Sequence, residues 1–320
     1  MLKIGVFGAG HLGKTHLHIA ENSKMFDLVG FYDTSNDVIS DLLREYEYRL
    51  FETPEALINA VDAICIVTPT LSHFKIAEKA IKSKKHVFIE KPISKTDKEA
   101  AKLVQLAIEN GVIGQVGHVE RFNPAYLAVQ PILTEPMFIE SHRLAEFNPR
   151  GTDVSVILDL MIHDIDIALS LVNSPIKRID ATGVAVISQT PDISNARIIF
   201  ENGCVANLTA SRISLKKMRK TRFFQKNTYI SVDYLFRKVE VVKIKDASEN
   251  IEDLSILLTN AEGKKKQVYF ENPKINEDNA IKMEMEHFGY CIKMGKTPII
   301  SFKEGADALK VAHEIIKCVG

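Results

Sequence analysis

Residues 3–13 have the sequence KIGVFGAGHLG, an apolar run followed by three spaced glycines. The apolar run predicts a buried β-strand, and the helical pattern that follows places the glycines at a strand-to-helix turn. Gly8 permits the tight turn, Gly10 lets backbone amides approach a pyrophosphate, and Gly13 allows the helix to pack closely on the strand. This stretch therefore predicts the first βα unit of a dinucleotide-binding fold, with the helix N-terminus facing the anion.

The first third of the chain repeats this pattern of short apolar runs and amphipathic stretches, which is typical of βαβ units on a parallel sheet. Predicted strands lie at residues 3–7, 28–32, 63–67, 86–89 and 113–116, and helical spacing at 53–60, 72–82 and 98–110. The strands are apolar almost throughout, as expected when both faces are buried. We therefore predict a doubly wound parallel sheet of the Rossmann type over residues 1–118.

The rest of the chain is richer in predicted strands, at 137–146, 179–188, 196–200, 204–211, 228–234, 238–244 and 265–270. Residues 201–203 (Glu-Asn-Gly) carry a hairpin-turn signal, and one helix is predicted at 154–172. We predict an α+β domain over residues 119–320, with a large open, mostly antiparallel sheet that binds substrate and contributes to dimerisation. The sequence does not indicate what the last predicted helix, 303–318, packs against.

Asp33 supplies the second cofactor signal. It ends the second predicted strand, twenty residues after Gly13, where an acidic side chain reaches the adenosine ribose in dinucleotide-binding folds. Thr34, Ser35 and Asn36 follow, and this segment holds no arginine that would balance a 2′-phosphate. The sequence therefore predicts NAD in preference to NADP.

Composition excludes several other classes of protein. The chain carries 41 basic and 41 acidic residues, so no broadly basic surface for nucleic acid is expected. No apolar stretch approaches the roughly 18 residues that a membrane span needs, and the N-terminus lacks a signal-peptide pattern. The four cysteines are widely spaced, which favours reduced thiols. We expect a cytoplasmic protein that binds neither nucleic acid nor membrane.

Glu90-Lys91-Pro92 follows the predicted strand 86–89, at the sheet edge where ligands bind in open α/β folds. Lys91 alone is equally well interpreted as a solvated surface lysine. Taken together, Glu90-Lys91-Pro92, the glycine turn, Thr68-Pro69, His73 and the segment 159–166 form an arrangement that resembles one known family. It is the glucose-fructose oxidoreductase and inositol dehydrogenase (GFO/IDH/MocA) family. The resemblance implies that Lys91 lies in the active site before a cis Pro92. Together with the glycine motif it implies these cofactor contacts: Gly8, Gly10, His11, Leu12, Gly13, Asp33, Thr68, Pro69, His73, Glu90 and Lys91.

A polar stripe marks the predicted helix 154–172. Asp159, His163 and Asp166 are spaced i, i+4 and i+7, so a regular helix places them on one face. The stripe alone also fits a solvated face, and metal ligation is disfavoured because no second His or Cys is evidently placed to complete a site. The family pattern DxxxHxxD falls on these positions. It implies that His163 is the general acid/base, that Asp159 lies beside it, and that Asp166 has an orienting or structural role.

Other motifs resemble one branch of the family, which includes UDP-N-acetylglucosamine 3-dehydrogenases. They are residues 117–125 (GHVERFNPA), 150–153 (RGTD) and 210–212 (ASR), whereas the Gly-Gly pair common in the family is missing before Asp159. The cationic run 212–222 is interpreted either as a solvated face or as a diphosphate-recognition loop. The expected substrate contacts are Lys91, Arg121, Asn123, Asp159, His163, Arg212 and Arg219.

These expectations describe an NAD-dependent oxidoreductase acting on a sugar alcohol, with a UDP-sugar as the expected substrate. Lys91 would stabilise the reacting oxygen and His163 would take its proton. A dehydrogenase of free sugars or inositol remains the alternative. A non-catalytic NAD-binding regulator is a further one, although the presence of Lys91, Asp159 and His163 together disfavours it. We expect a homodimer or homotetramer.

Overall fold

The computed structural model describes residues 1–148, 154–246, 255–259, 261 and 263–320. They form two compact units. The first comprises Met1–Val119 and Asn279–Lys310, and the second comprises Glu120–Asp278 and Val311–Gly320.

Strands and helices alternate in the first part of the chain, and strands dominate the second. The strands are β1 (Leu2–Phe7), β2 (Phe26–Tyr32), β3 (Ala63–Ile66), β4 (His86–Glu90), β5 (Gly114–Gly117), β6 (Phe138–Leu144), β7 (Ile176–Val184), β8 (Ile193–Phe200), β9 (Val205–Ser211), β10 (Met218–Gln225), β11 (Thr228–Asp233), β12 (Lys238–Asp246), β13 (Ser255–Thr259) and β14 (Lys265–Glu271). The α-helices are α1 (His11–Asn22), α2 (Asn36–Glu45), α3 (Pro54–Ala60), α4 (Thr70–Lys82), α5 (Asp97–Asn110), α6 (Pro124–Val129), α7 (Ile162–Leu171), α8 (Ala280–Met294) and α9 (Phe302–Val319).

The sheet of the first unit confirms the predicted doubly wound architecture. Over the described residues its order is β2-β1-β3-β4-β5, and all neighbouring strands pair in parallel. The chain passes from β1 to β2 on one side and then to β3 on the other side of β1. Since parallel crossovers are right-handed, this reversal sends the connecting helices to opposite faces. It also opens a crevice at the carboxyl ends of β1 and β3, where ligands bind in open α/β sheets.

Local sequence signals set the helix ends in this unit. Thr96 and Glu99 form a reciprocal capping box at the start of α5. The same helix ends at Gly111, whose φ of 63° is the left-handed conformation that glycine adopts most easily. The helical spacing predicted at 98–110 thus matches the bounds of α5 to within one residue.

The sequence-based division placed everything after residue 118 in one domain, whereas the structure packs 279–310 with the first unit. On α8, Met285 and Phe288 are fully buried in the same core cluster as Ile4 and Phe88. The rings of Phe88 and Phe288 meet edge to face at 5.9 Å. Helical spacing reveals that a helix has an apolar face, but it does not reveal which surface covers that face.

The start of α9 packs against β5. A Cβ added at Gly114 would lie 2.6 Å from the ring of Phe302, and one at Gly305 would overlap Val116. Two glycines thus allow this helix to lie directly on the strand. The contact gives the last helix the packing partner that the sequence could not assign.

The second unit contains the predicted open sheet. Over the described residues its order is β13-β14-β12-β11-β10-β6-β9-β8-β7, and its pairs are antiparallel except for β6 with β9. Side chains alternate between buried and accessible along β6, β8 and β9, as expected when one face is covered. The predicted hairpin turn is confirmed, with Gly203 at φ 87° between β8 and β9.

Strand β10 was not predicted, because its residues 218–222 (MRKTR) interrupt the apolar alternation with charge. It nevertheless pairs with β6 on one side and β11 on the other. Thr221 and Phe223 are buried on one face of the sheet.

Among the described residues, no helix is both long and apolar enough to cross a membrane.

Candidate active site

The glycine turn after β1 has the steric properties that the motif predicts. Gly8 has φ 93°, and a Cβ there would lie 2.6 Å from the carbonyl oxygen of Val67. A Cβ at Gly13 would overlap the carbonyl oxygen of Gly8. By contrast, no atom lies within 4 Å of the position that a Cβ would take on Gly10. The turn is therefore closed against side chains at Gly8 and Gly13 and open at Gly10.

The start of α1 offers its backbone N–H groups to an anion. Gly10 is the N-cap, no described side chain caps the helix, and its first turn carries no acidic residue. His11 and Leu12, the first helical residues, are exposed. Uncapped amides and the helix dipole together favour a phosphate here, and the open space at Gly10 fits a pyrophosphate.

Asp33 lies at the edge of this turn. Its Oδ2 accepts a hydrogen bond from the N–H of Ala9 at 2.7 Å, and its Oδ1 accepts one from the N–H of Ser35 at 2.8 Å. The carboxylate is thus held beside the glycines and is half-buried. A carboxylate has further acceptor capacity, so Asp33 can also accept hydrogen bonds from the hydroxyls of a ribose.

His73 joins the turn after β3 to the turn after β4. Its Nε2 lies 2.8 Å from the Thr68 carbonyl oxygen and its Nδ1 lies 2.9 Å from the Pro92 carbonyl oxygen. The residue is 1% exposed, and its burial lowers the pKa of the imidazole more than the two carbonyls raise it. The sequence placed His73 among the cofactor contacts. In the structure both ring nitrogens face backbone carbonyls, so the imidazole connects the two turns, and its contact with the cofactor stays a prediction.

The end of β4 and the turn after it, which His73 contacts, carry the predicted site residues Glu90 and Lys91. The peptide between Lys91 and Pro92 is cis, as the resemblance implies. On the β3 side, the Thr68 hydroxyl oxygen is buried and makes no hydrogen bond to the described residues. A buried hydroxyl of this kind fits a ligand group at the crevice. Pro69, the N-cap residue of α4, is exposed beside it.

Glu90 is engaged by the protein. Its Oε1 lies 3.1 Å from Nε2 of His16, a fully buried residue of α1, and its Oε2 accepts the Lys91 N–H at 3.3 Å. A Cβ at Gly117 would lie 2.9 Å from the same carboxylate. Glu90 was predicted to contact the cofactor. In the structure its carboxylate connects the cofactor-side helix to the Lys91 peptide.

The segment that carries Asp159 and His163 is not the regular helix that was predicted. Ile157–Met161 forms a π-helical turn that runs into α7. Such a turn holds an extra residue and shifts the faces on either side, and it is frequent at functional sites. Asp159 is half-buried in this turn, whereas Asp166 is 3% exposed with its carboxylate 3.8 Å from Arg121. The spacing of a regular helix therefore does not apply to Asp159.

Asp159 lines a cavity of about 410 Å³ together with two cationic residues, Arg212 and Lys217. The other lining residues are Ala145, Glu146, Phe147, Asn148 and Leu160. Arg212 is mostly buried and its Nη2 donates to the Val154 carbonyl at 2.5 Å. Lys217 lies 3.4 Å from Glu146, and both side chains are more than half exposed. The cavity thus combines two carboxylates, Asp159 and Glu146, with two cations, and such charged donors and acceptors fit a polar ligand with a phosphate group.

Asn123 and Arg219, two other predicted substrate contacts, are not among the described residues that line this cavity. Asn123 is buried, and its Nδ2 donates to Glu120 and to the Tyr234 carbonyl, both at 3.1 Å. Both amide protons are therefore used inside the protein, and the substrate contact of Asn123 stays a prediction. Arg219 lies on β10, with its Nη1 3.7 Å from Glu120. Residues 150–153 of the branch motif lie outside the described residues.

A buried ion cluster in the second unit was not predicted from the sequence. Arg143 on β6 donates from Nε and Nη2 to the two oxygens of Asp164, at 2.8 and 3.0 Å, and from Nη1 to Glu120 at 2.7 Å. Burial by itself would lower the pKa of the Arg143 guanidinium. The two carboxylates raise that pKa by more than burial lowers it, so the net shift is upward. Glu120 and Asp164 adjoin motif residues, whereas no motif marks Arg143. Among the residues that the structure describes, no group of His, Cys, Asp and Glu is arranged to hold a metal ion.

Comparisons with known proteins identify the family of the chain. Residues 2–118 match the model of an oxidoreductase family with an NAD-binding Rossmann fold, and residues 101–227 match a GFO/IDH/MocA C-terminal domain. UDP-N-acetylglucosamine 3-dehydrogenase from Acidithiobacillus ferrooxidans is 38% identical over 236 residues, 73% of this chain and 74% of that protein. Myo-inositol 2-dehydrogenase from Thermotoga maritima is 24% identical over 98% of this chain and 94% of that protein.

Solved structures resemble the whole chain. A structure of the Acidithiobacillus ferrooxidans enzyme superposes with a TM-score of 0.88 at 31% identity, covering 99% of this chain and 97% of that one. The scyllo-inositol dehydrogenase of Lactobacillus casei, solved with NAD(H) and scyllo-inositol, gives 0.77 at 21% identity, covering 100% of this chain and 97% of that one. The second likeness concerns the fold alone.

Proposed function

The chain belongs to the GFO/IDH/MocA family of NAD-binding oxidoreductases, and from that premise we propose that it oxidises the 3-hydroxyl of UDP-N-acetylglucosamine. The observation that carries the proposal is the cavity in which Asp159, Arg212 and Lys217 meet. Lys217 would exchange Glu146 for an anionic ligand, and a free sugar or inositol carries no charge to drive that exchange. A sugar nucleotide carries a diphosphate.

The cofactor-binding residues are those of the first unit. The amides that open α1 would hold the pyrophosphate, with Gly10 leaving room for it, and Asp33 would bind the adenosine ribose. When bound, NAD supplies the acceptor for the hydride. A 2′-phosphate would face the Asp33 carboxylate, so we propose that NAD is preferred to NADP.

In the proposed reaction, His163 takes the proton of the sugar hydroxyl while the C–H bond of the carbon that bears this hydroxyl breaks. A histidine suits this role because its unperturbed pKa of about 6.5 lies close to neutral pH. Lys91 donates a hydrogen bond to the same oxygen and stabilises the negative charge that develops on it. Asp159 binds the sugar beside the reacting carbon.

Arg212 and Lys217 would bind the diphosphate. A charge-assisted hydrogen bond contributes about 1.5 to 3 kcal/mol, so each cation would strengthen binding by about 10-fold or more. Because this contact lies away from the reacting carbon, it can also position the sugar for reaction. Removing the nucleotide from the substrate should therefore reduce both affinity and turnover.

The experiment measures NADH formation from UDP-N-acetylglucosamine, N-acetylglucosamine and myo-inositol at matched concentrations. Lys217→Ala should raise the KM for the sugar nucleotide about tenfold through the loss of one such contact. Lys216→Ala is the matched control, since Lys216 is exposed in the same loop. Equal or better activity on the free sugar or on inositol, unaffected by Lys217→Ala, would refute the sugar-nucleotide substrate.

A homo-oligomer in the cytoplasm is the assembly and location that we propose. Exposed apolar side chains on the strands of the second unit support the oligomer: Phe224 is 38% exposed and Phe270 is 58% exposed. Such side chains commonly mark protein–protein contacts. Light scattering coupled to size-exclusion chromatography should give a dimer or tetramer mass, and a monomer at micromolar concentration would contradict this.

A further inference from the structure

The ion cluster of Glu120, Arg143 and Asp164 lies almost completely inside the second unit. The side chains are 6%, 3% and 3% exposed. Two carboxylates face one guanidinium, so the cluster has one negative charge in excess. Arg219, 52% exposed with Nη1 3.7 Å from Glu120, brings the balancing positive charge from the surface. Buried charges are tolerated only when they are paired in this way.

The cluster connects three elements of the unit. Glu120 belongs to the 3₁₀ turn Val119–Phe122, Arg143 to β6 and Asp164 to α7. The planar guanidinium binds both oxygens of Asp164 at once, which fixes that carboxylate in direction as well as distance. Asn123 holds the second oxygen of Glu120, and the ring of Tyr234 lies 6.0 Å from the guanidinium carbon.

Asp164 adjoins His163 in the first turn of α7, immediately after the π-helical turn. A π-helical turn departs from regular helical hydrogen bonding and is frequent at functional sites. The two hydrogen bonds from Arg143 hold Asp164, one residue from His163, in the turn that follows. We propose that Arg143 is a positioning residue for the reaction: by holding Asp164 it fixes the helical turn that carries His163, and its charge offsets the carboxylates behind that turn.

This proposal rests on the proposed role of His163 as the acid/base. Without Arg143, the charge of Asp164 and Glu120 would act on His163 with only Arg219 to oppose it. Neighbouring negative charge favours the imidazolium and raises the pKa of a histidine. Among the described residues, further charged groups on this segment and beside it are Asp159, Asp166, Arg121, which lies 3.8 Å from Asp166, and Arg212, which lines the cavity with Asp159. Alcohol oxidation needs neutral His163, so a raised pKa moves the acid limb of the pH–rate profile to higher pH.

The experiment compares Arg143→Met, Arg143→Lys and the double variant Arg143→Met/Asp164→Asn with the unmodified protein. We expect Arg143→Met to lower kcat about 100-fold, the loss typical of a displaced reacting group, with little change in KM or in the Kd for NAD. Arg143→Lys keeps the charge but not the two-pronged contact, so kcat should fall while the acid limb stays. Arg197→Met is the control, because Arg197 is exposed on β8 of the same sheet.

The double variant separates the effect of the uncompensated carboxylate charge on the pH–rate profile from a general loss of structure. It leaves Glu120 opposite Arg219, so the acid limb should return to its original pH, whereas kcat should stay low because no side chain at 143 fixes the turn. Thermal unfolding with and without NAD monitors folding, since breaking a buried ion pair is destabilising. If Arg143→Met does not fold, Arg143→Lys and the double variant carry the comparison.

Histidine NMR provides a readout that does not need turnover, with the His163 resonance assigned from its loss in His163→Gln. Its pKa should rise in Arg143→Met and return in the double variant. An unchanged His163 titration together with kcat within twofold of the unmodified protein would overturn the proposal. If the unmodified protein oxidises none of the tested alcohols, the proposed function fails, and the NMR titration still decides whether Arg143 controls the charge at His163.

Discussion

The replacement Gly10→Ala should separate cofactor binding from folding. Gly10 has φ −65° and ψ −167°, values that alanine adopts without strain, and no atom lies within 4 Å of the position of its new Cβ. The protein itself therefore accommodates the methyl group. A pyrophosphate approaching the first amides of α1 would meet that methyl group directly.

The two effects can be given magnitudes. Replacing a glycine by alanine at a compatible position stabilises a protein by about 0.4 to 1 kcal/mol, because the unfolded chain loses freedom. One charge-assisted hydrogen bond between an amide and the pyrophosphate contributes about 1.5 to 3 kcal/mol. Losing one such bond weakens NAD binding by about 10- to 150-fold, and losing two weakens it further. Gly10→Ala should thus be at least as stable as the original protein while binding NAD much more weakly.

Calorimetric titration with NAD and urea denaturation without NAD measure the two quantities separately. Gly13→Ala is the informative contrast, because its Cβ would overlap the Gly8 carbonyl, so it should lose stability as well as binding. If Gly10→Ala is fully folded and binds NAD as tightly as the original protein, the pyrophosphate does not lie over Gly10. The assignment of the cofactor site would then be wrong.

Three further predictions concern the site residues and one loop. Lys91→Ala and His163→Ala should each slow hydride transfer by about 100-fold or more while the Kd for NAD changes little, and stopped-flow NADH formation at a near-normal rate in either variant would remove that residue from the reaction. Asp33→Ala should weaken NAD binding and narrow the preference over NADP, as measured by calorimetry; tighter NADP binding to the unmodified protein would contradict this. Asp192 accepts the N–H groups of Val186, Ile187 and Ser188 at 2.7 to 2.9 Å, and although burial raises its pKa, these bonds lower it further. Asp192→Asn should therefore cost stability at pH 7 and lose this difference as the pH falls below about 4, because a depressed pKa stabilises only the ionised form; equal urea midpoints at pH 7 would contradict it.

The first unit was predictable from sequence because its signals are local. Strand-to-helix turns, the capping at Thr96 and the stop at Gly111 depend on residues within a few positions of one another. The strands fell within a few residues of their predicted bounds for the same reason. The position of α8 was not predictable. The apolar side chain of Phe288 indicates that it is buried, but the sequence does not indicate that it packs against Phe88, which is distant along the chain.

The second unit shows where local patterns fail. Strand β10 is charged along much of its length, and only its pairing with β6 and β11 makes it a strand. The π-helical turn at Ile157–Met161 looks like a regular helix in the sequence, so the position of Asp159 relative to Asp166 could not be derived from spacing.

The candidate site was likewise predictable in part. Motifs identified the residue types of the cofactor turn and the cis peptide before Pro92, which the structure confirms. They did not reveal that His73 and Asn123 have their polar atoms occupied inside the protein. Hydrogen-bond partners of this kind lie far apart in sequence, as with Arg143 and Asp164, and only the folded chain brings them together.

The most direct test of oxidation at the sugar 3-hydroxyl uses UDP-N-acetylglucosamine that carries deuterium at C3. The protein is incubated with this substrate and NAD, and the reduced cofactor is examined by mass spectrometry. Oxidation at C3 breaks the C3–D bond, so deuterium should appear in the reduced nicotinamide and the rate should fall relative to unlabelled substrate. Reduced cofactor without deuterium would place the reaction at another carbon, and no reduced cofactor from this substrate, with turnover of a free sugar or inositol, would contradict the proposed function.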